Sequence, residues 1–277
     1  MSVNRLFVAY KPPFIGSNRF LGRLKKRYGA DRGGFSGTLD PFAKGVLLVA
    51  FGQYTRLFNY LSKTPKTYRA VLWLGAHSKT LDVEQITRVE NTPLLDADRI
   101  KAAMNELVGV ITQTPPAFSA LRVDGARAYH LARNGEEFCL PRRQIRVDRM
   151  ELIAYCHPFI TFECAVCEGA YVRSLGQDLA RKLGCAGALS FLERASEGRF
   201  IYEGEKALDP LRFIDLKRNR FLGKARDLFD AKKCLASDFE QSDEGDYLVE
   251  SQGFFVIIRI QNGRSAYLLG HTATFGN

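Results

Sequence analysis

The sequence predicts an α+β fold carrying a small, mainly β C-terminal appendage. Three observations lead there. Strand-like and helix-like stretches are mixed without a strict βαβ rhythm, which argues against a doubly wound sheet. Hydrophobic residues make up 46% and charged residues 25% of the 277 positions, the balance of a globular chain with a sizeable core. The character of the chain changes near residue 204. Beyond that point a basic run (KRNRFLGKARDLFDAKK) and an acidic loop lead into short β-runs.

Arg5–Tyr10 reads as a buried strand. Ser17 or Asn18 can cap a helix running to about Tyr28, where Gly29 stops it. That helix carries Arg19, Arg23, Lys25, Lys26 and Arg27, so one side of it is densely positive. A glycine-rich loop spans Gly33 to Pro41, followed by the apolar strand Val46–Phe51 and a short helix near Thr55–Leu61. Thr67–Leu74 alternates and is rich in β-formers, so it reads as a strand. Asp96 or Asp98 begins a helix that ends before Gly109. Pro115-Pro116 then breaks regular structure. The stretch after it mixes Arg122, Arg127 and Arg133 with Phe118 and Tyr129. Charge suits phosphates and rings suit bases, although an ordinary amphipathic hairpin and helix shows the same pattern. Ile145–Ala154 and Phe159–Cys167 read as neighbouring strands, and Tyr171–Leu183 as a helix closed by Gly184. In the appendage, Tyr247–Glu250, Phe254–Ile260 and Ala266–Leu269 are short β-runs, with turns at Gly253 and Asn262-Gly263.

Charge narrows the partners. A net charge of +10, from 40 Lys+Arg against 30 Asp+Glu, favours a polyanion or an anionic membrane surface. The longest apolar runs are too short to span a bilayer, and the N-terminus lacks the apolar core of a signal peptide. A cytoplasmic protein is expected. Cys164 and Cys167 form the sole C-x-x-C, in a strand-like run where residues three apart face opposite ways. The histidines at 77, 130, 157 and 271 are isolated. No structural metal is expected.

Candidates for chemistry are few. G-x-S-x-G, G-x-x-x-x-G-K-[ST] and H-E-x-x-H are all missing. What stands out is GGFSGTLDPFAKGVLLVAFG. Glycines 33, 34 and 37 permit unusual backbone and close approach by a ligand. Pro41 pushes Asp40 toward an extended conformation. One carboxylate thus sits on a tight turn at the rim of a sheet. Taken alone, such an Asp-Pro is as compatible with a plain turn.

The same loop resembles the catalytic motif of the TruB family, the bacterial tRNA pseudouridine-55 synthases. Four further motifs follow in that family's order: Lys11-Pro12; KTYRA with Tyr68; PPAFSALRVDGARAYHLAR; and GAYVRSLGQDLARKLGCAGALSFLER. The resemblance covers about residues 5–200. It implies the pseudouridine-synthase fold, with a mixed, largely antiparallel central sheet flanked by helices. It implies a catalytic domain over 1–203, with an RNA-binding insertion at about 113–140, and a C-terminal region over 204–277 that is a possible reduced PUA-like module. It implies isomerisation of uridine 55 in the T loop of tRNA, by base flipping and a covalent Asp intermediate, in a monomer that needs no cofactor. By resemblance Asp40 is the nucleophile, Tyr68 stacks on the target base or also helps to remove the C5 proton, and Arg173 pairs with Asp40. Tyr171 and Leu192 match positions lining the base pocket, Arg194 one near the RNA backbone, and Lys11 a lysine close to the site.

The chain also departs from the pattern. Phe35 stands where the family has a histidine associated with flipping and stacking; Phe can stack but cannot hydrogen-bond. Phe14 stands about where a glycine is expected, and Glu168 where a lysine or another polar residue is common. Two other readings compete. An RNA chaperone on the same scaffold would not need Asp40, Tyr68 and Arg173 together. A carboxylate-dependent glycosidase would need a second acid at about 5–9 Å, and none stands out in the sequence.

Overall fold

The computed structural model describes residues 3–123 and 125–275. The chain opens with β1 (Arg5–Lys11), α1 (Ser17–Tyr28), the short β2 (Gly33–Phe35) and β3 (Lys44–Phe51). β4 (Lys66–Leu74) follows, then the hairpin β5 (Ala76–Ser78) and β6 (Ile86–Val89), α2 (Ala97–Asn105) and β7 (Gly109–Gln113). A small excursion carries β8 (Arg122–Val123), β9 (Ala126–Arg127) and α3 (Ala128–Asn134). β10 (Arg143–Cys156) and β11 (Phe159–Val166) then lead to α4 (Val172–Lys182) and β12 (Gly187–Glu197). β13 (Ala207–Leu208) closes this part. Last come β14 (Lys217–Asn219), α5 (Ala225–Phe229), β15 (Gly245–Ser251), β16 (Phe254–Gln261) and β17 (Arg264–Ala273).

The large sheet has the order β13-β1-β3-β12-β4-β11-β10-β7, with β2 added on β3. All its pairs are antiparallel except β3 with β12, so the expected mixed, largely antiparallel sheet is present. Period-two alternation explains why β1 and β3 are apolar throughout. Leu6, Val8, Val46 and Leu48 face one core. Phe7, Ala9, Leu47 and Val49 face another, beneath Phe20 and Leu24 of α1. On β4, Tyr68, Ala70, Leu72 and Leu74 turn to a third core, shared with α2 and α4.

Several expectations change in detail. Gly16, not Ser17 or Asn18, precedes the first turn of α1, and no side chain caps it. The Ser17 hydroxyl is engaged elsewhere: it donates to Leu39 O at 2.9 Å and accepts from Leu39 N at 3.1 Å. The helix expected at 55–61 is a 3₁₀ segment, Gly52–Asn59. β12 is the largest element that the sequence does not announce, because the stretch after the helix closed by Gly184 carries no clear strand pattern. Its pairing with β4 slips at Leu189/Phe191 and again at Arg194/Ser196. Those irregularities erase the alternation that would announce a strand. β13 keeps the chain on the large sheet as far as Leu208.

The C-terminal sheet, β14-β15-β16-β17, is buried on both sides. Leu248, Phe255, Ile257 and Leu269 share a core with Leu6, Leu48 and Tyr54. Val249, Val256 and Ile258 face the opposite way, toward Leu228 and Phe239. Among the described residues no helix is long and apolar enough to cross a membrane.

Two backbone positions bear on the site. Phe14 adopts φ +60°, a left-handed conformation that costs a residue with a Cβ about 1–2 kcal/mol and that explains why glycine suits this position. Gly45, at φ +117°, pairs with Arg194 across the parallel β3–β12 ladder of the large sheet. A Cβ there would lie 2.7 Å from Arg194 N and still closer to Arg194 O. Gly45→Ala is therefore expected to force β3 and β12 apart and lower stability by at least about 2 kcal/mol. Urea denaturation of the purified variant measures this; a loss of only a few tenths would show that the ladder yields freely.

Candidate active site

The loop between β2 and β3 is fastened at several points. Ser36 N donates to Leu48 O at 2.9 Å, and Ala43 N donates to Asp40 O at 3.2 Å. Lys11, at the inner end of β1, is fully buried, and its ammonium donates to Ile15 O at 2.8 Å, Pro12 O at 3.0 Å and Pro41 O at 3.2 Å. One cation thus ties the β1–α1 loop to the Asp40 loop. Burial pushes the Lys11 ammonium down to about 8, against the opposing pull of Asp40. Gly37, at φ +59°, is the tightest point, since a Cβ there would stand 2.6 Å from Lys66 Nζ.

Behind Gly37 lies a buried ionic cluster. Glu197, fully buried, accepts from Ser36 Oγ at 2.6 Å. Its carboxylate is also 3.2 Å from Lys66 Nζ and 3.6 Å from Arg194 Nη2. Arg194 donates through Nε to Val46 O at 2.8 Å and through Nη2 to Gly37 O at 3.0 Å. Two cations and one carboxylate here compensate much of each other's lost hydration while gripping the loop carbonyl.

Asp40 meets Arg173 in the first turn of α4. Nη2 of Arg173 donates to Oδ1 at 2.8 Å, and Nε approaches Oδ2 to 2.8 Å without hydrogen-bond alignment. The arginine side chain is 3% exposed and that of Asp40 30%, so the carboxylate is presented from a buried base. Arg173 also donates to Thr80 O at 2.7 Å and Phe118 O at 3.0 Å, and its Nη1 lies 3.5 Å from Asp82 Oδ2. Asp82 is 1% exposed and accepts from Thr80 Oγ1 at 2.5 Å and Glu84 N at 2.9 Å. Burial raises its carboxyl above the usual range, opposed by these donors and by Arg173. Glu84 is raised likewise, through burial and then Asp82 and Asp40. A cation at a helix N-terminus opposes the helix dipole, and the two aspartates offset that as well.

Two cavities meet at Asp40. One, of about 370 Å³, is walled by Asp40, Asp82, Glu84, Arg127, Tyr129 and Arg133. The other, of about 300 Å³, is walled by Asp40, Lys66, Tyr68, Glu168, Tyr171 and Arg194. Burial raises the Tyr68 phenol, with Arg194 opposing, so the ring is neutral near pH 7. Tyr171 is tied through its backbone to the Gln113 amide, with bonds of 2.8 and 3.1 Å. Glu168 lies 3.8 Å from both Lys63 and Lys66, so its charge is turned toward lysines. Among the described residues no cluster of His, Cys, Asp and Glu could hold a metal.

The structure brings together Asp40, Tyr68, Arg173 and Tyr171. It sets Lys11 behind them. Three expected substrate contacts are placed differently. Leu192 is a core residue and walls neither cavity. Phe35 pairs with Val49 and packs against the core under α1, likewise away from both. Arg194 borders the second cavity but is 1% exposed, its guanidinium already committed to Val46 O, Gly37 O and Glu197, so no free phosphate contact stands there. Asp82 was missed, as was the second acid it supplies; with its oxygens taken up by Thr80, Glu84 N and Arg173, it is not a free acid of the glycosidase type. Its one sequence signal is the tripeptide Thr80-Leu81-Asp82, which repeats Thr38-Leu39-Asp40. Lys66 and Glu197 were missed too. Lys66 shares the inward face of β4 with Tyr68, a position where a lysine needs a partner.

Lys11 generates a pH prediction. Between about pH 8 and the ordinary lysine value of 10.5, the unfolded chain holds a proton on this group that the folded chain has lost. Its contribution to stability therefore rises with pH across that window and falls away as pH drops through 8. The denaturation free energy of the wild type minus that of Lys11→Met is expected to grow by about 1–2 kcal/mol from pH 7.5 to 9.5. A difference that shrinks with pH would refute the depressed ammonium.

A model described as "TruB family pseudouridylate synthase (N terminal domain)" matches residues 25–172. The "tRNA pseudouridine synthase B" of a Nitratiruptor species is 47% identical, over 96% of this chain and 97% of its own length. That of a Campylobacter jejuni subsp. jejuni strain is also 47% identical, over 96% and 98%. Among solved structures, a Cbf5-Nop10-Gar1 complex matches with a TM-score of 0.65 at 18% identity, covering 97% of this chain and 83% of the other. An H/ACA RNP bound to a substrate RNA containing 2'-deoxyuridine matches with a TM-score of 0.61, also at 18%, covering 99% and 85%. At that identity the structural matches show a shared fold. The near full-length relatives and the family model go further, and the chain belongs to the TruB family of pseudouridylate synthases.

Proposed function

We propose that this protein converts uridine 55 in the T loop of tRNA to pseudouridine, with Asp40 as the nucleophile. The observation that carries the reading is the carboxylate of Asp40, aimed by a buried guanidinium at the junction of two cavities. The names of the curated relatives supply the tRNA substrate.

The reaction balances without a co-reactant. Asp40 attacks the nucleotide at C6 of uracil or at C1′ of ribose, and either route gives a covalent adduct. The N1–C1′ bond breaks, the base turns, and a C5–C1′ bond forms. The C5 proton departs, N1 takes up one proton, and the carboxylate is released. Arg173 holds the carboxylate's direction through a planar fork that a lysine cannot reproduce. The cavity with Tyr68 and Tyr171 suits a flipped uracil between aromatic walls. A neutral, buried Tyr68 favours stacking over proton removal. The other cavity, with Arg127, Tyr129 and Arg133 from the 113–140 insertion, suits the adjoining ribose-phosphate. Contacts there and along α1 offset the few kcal/mol of unstacking. On the same reading the protein is a monomeric cytoplasmic enzyme with no cofactor, and residues 204–277 form a reduced PUA-like appendage.

Mapping pseudouridine at single-nucleotide resolution in unmodified tRNA treated with the protein tests the substrate; a product at a position other than 55 would overturn it. Asp40→Asn is expected to abolish tritium release from T-arm RNA carrying [5-³H]uridine, with RNA affinity within about fivefold. Substantial turnover by that variant would sink the nucleophile assignment. Arg173→Lys keeps the charge but not the fork, and kcat is expected to fall by about 100-fold or more. A rate near that of the wild type would count against the fork.

A further inference from the structure

We propose that Phe14 is an RNA-stacking residue of this enzyme: an exposed aromatic platform, on a loop tied to the nucleophile loop, for a base of the substrate. The inference rests on the reading that the substrate is a T-arm RNA.

Phe14 is hard to explain as a structural residue. Its backbone sits at φ +60°, a conformation that disfavours any side chain with a Cβ. Its ring is 75% exposed, so burial returns little to offset that strain. Phe14 follows Pro12 and Pro13, whose rings restrict the approach to it. Strain of this kind persists where the surroundings impose it and is concentrated at functional positions.

The loop that carries the ring is also held rigidly against the catalytic loop. The Lys11 ammonium donates to Pro12 O and Ile15 O, on either side of Phe14, and to Pro41 O, the residue after Asp40. Ser17 adds two bonds to Leu39, the residue before Asp40. The two loops therefore move as one body. Gly16, Ser17 and Asn18 then form part of the wall of the cavity that contains Asp40 and Arg173. Beyond them Arg19 and Arg23, one helical turn apart, are exposed on α1. An exposed apolar ring on a braced loop, followed by two cations, is the arrangement that suits a nucleic acid strand, with a base on the ring and phosphates on the arginines. A backbone already held in place loses little freedom on binding, so less of the stacking energy is lost to ordering.

The test compares Phe14→Gly, Phe14→Leu and Phe14→Trp with the wild type, on a fluorescently labelled T-arm hairpin for anisotropy and a [5-³H]uridine hairpin for turnover. Phe14→Gly is expected to raise Tm by a few degrees, because the strain is relieved, yet weaken binding and raise KM about five- to tenfold with kcat within about twofold. Phe14→Leu keeps the strain and the apolar character but not the ring, and is expected to weaken binding similarly. Phe14→Trp should bind as well as the wild type or better. If Phe14→Gly and Phe14→Leu both bind within about twofold of the wild type, the proposal is overturned. A loss of kcat with KM unchanged would also overturn it. Should the wild type bind the hairpin but release no tritium, the proposed substrate fails, while the anisotropy series still decides the role of Phe14.

Discussion

The buried guanidinium of Arg173 is the interaction on which the rest of the site depends. A permanent cation removed from water costs several kcal/mol unless carboxylates and carbonyls replace its hydration. Here the replacements come from distant parts of the chain: Asp40 between β2 and β3, Thr80 and Asp82 between β5 and β6, and Phe118 ahead of the β8–β9 hairpin. Each gives up some freedom to satisfy the same charge. The direction of the Asp40 carboxylate is therefore set by charge neutralisation. Asp82 matters because Arg173 must be held from behind if it is to hold Asp40 in front.

A second charge cluster does complementary work. Glu197, Lys66 and Arg194 lie where β12 runs between β3 and β4, and they grip the carbonyl of Gly37. Lys11 grips the other end of the loop at Pro41. The loop is thus fixed by cations at both ends and in the middle. Glycine suits position 37 because its backbone is left-handed and a Cβ would press on the Lys66 ammonium. Flexibility of the loop is not what its glycines provide.

Much of this was legible from residues alone. Alternation on β4 and the continuous apolar runs of β1 and β3 reported their own burial, because one face or both faces pack against a core. The five ordered motifs marked Asp40, Tyr68 and Arg173. What stayed hidden were residues whose roles depend on tertiary partners. Asp82 lies in an irregular turn, with no periodicity to mark it as inward-facing. β12 carries two bulges that scramble its alternation. Arg194 looks like a surface arginine until Glu197, three residues on, is seen to be buried with it. Phe14 was noticeable only as a departure from an expected glycine, and its left-handed backbone supplies the reason for that expectation.

The position of β12 has a consequence for how the molecule is made. β1 and β3 pair closely in sequence, as do β10 and β11, but β12 enters between β3 and β4 after more than a hundred intervening residues. Long-range pairings of this kind form late, because their loop-closure entropy is lost before the contacts repay it. During synthesis the half-sheet bearing Asp40 and the half-sheet bearing Tyr68 exist side by side without a common frame. Until the strand bearing Arg194 has left the ribosome and zipped them together, Asp40 and Tyr68 share no cavity. The cavity between Asp40 and Tyr68 thus arrives with the closing of a seam.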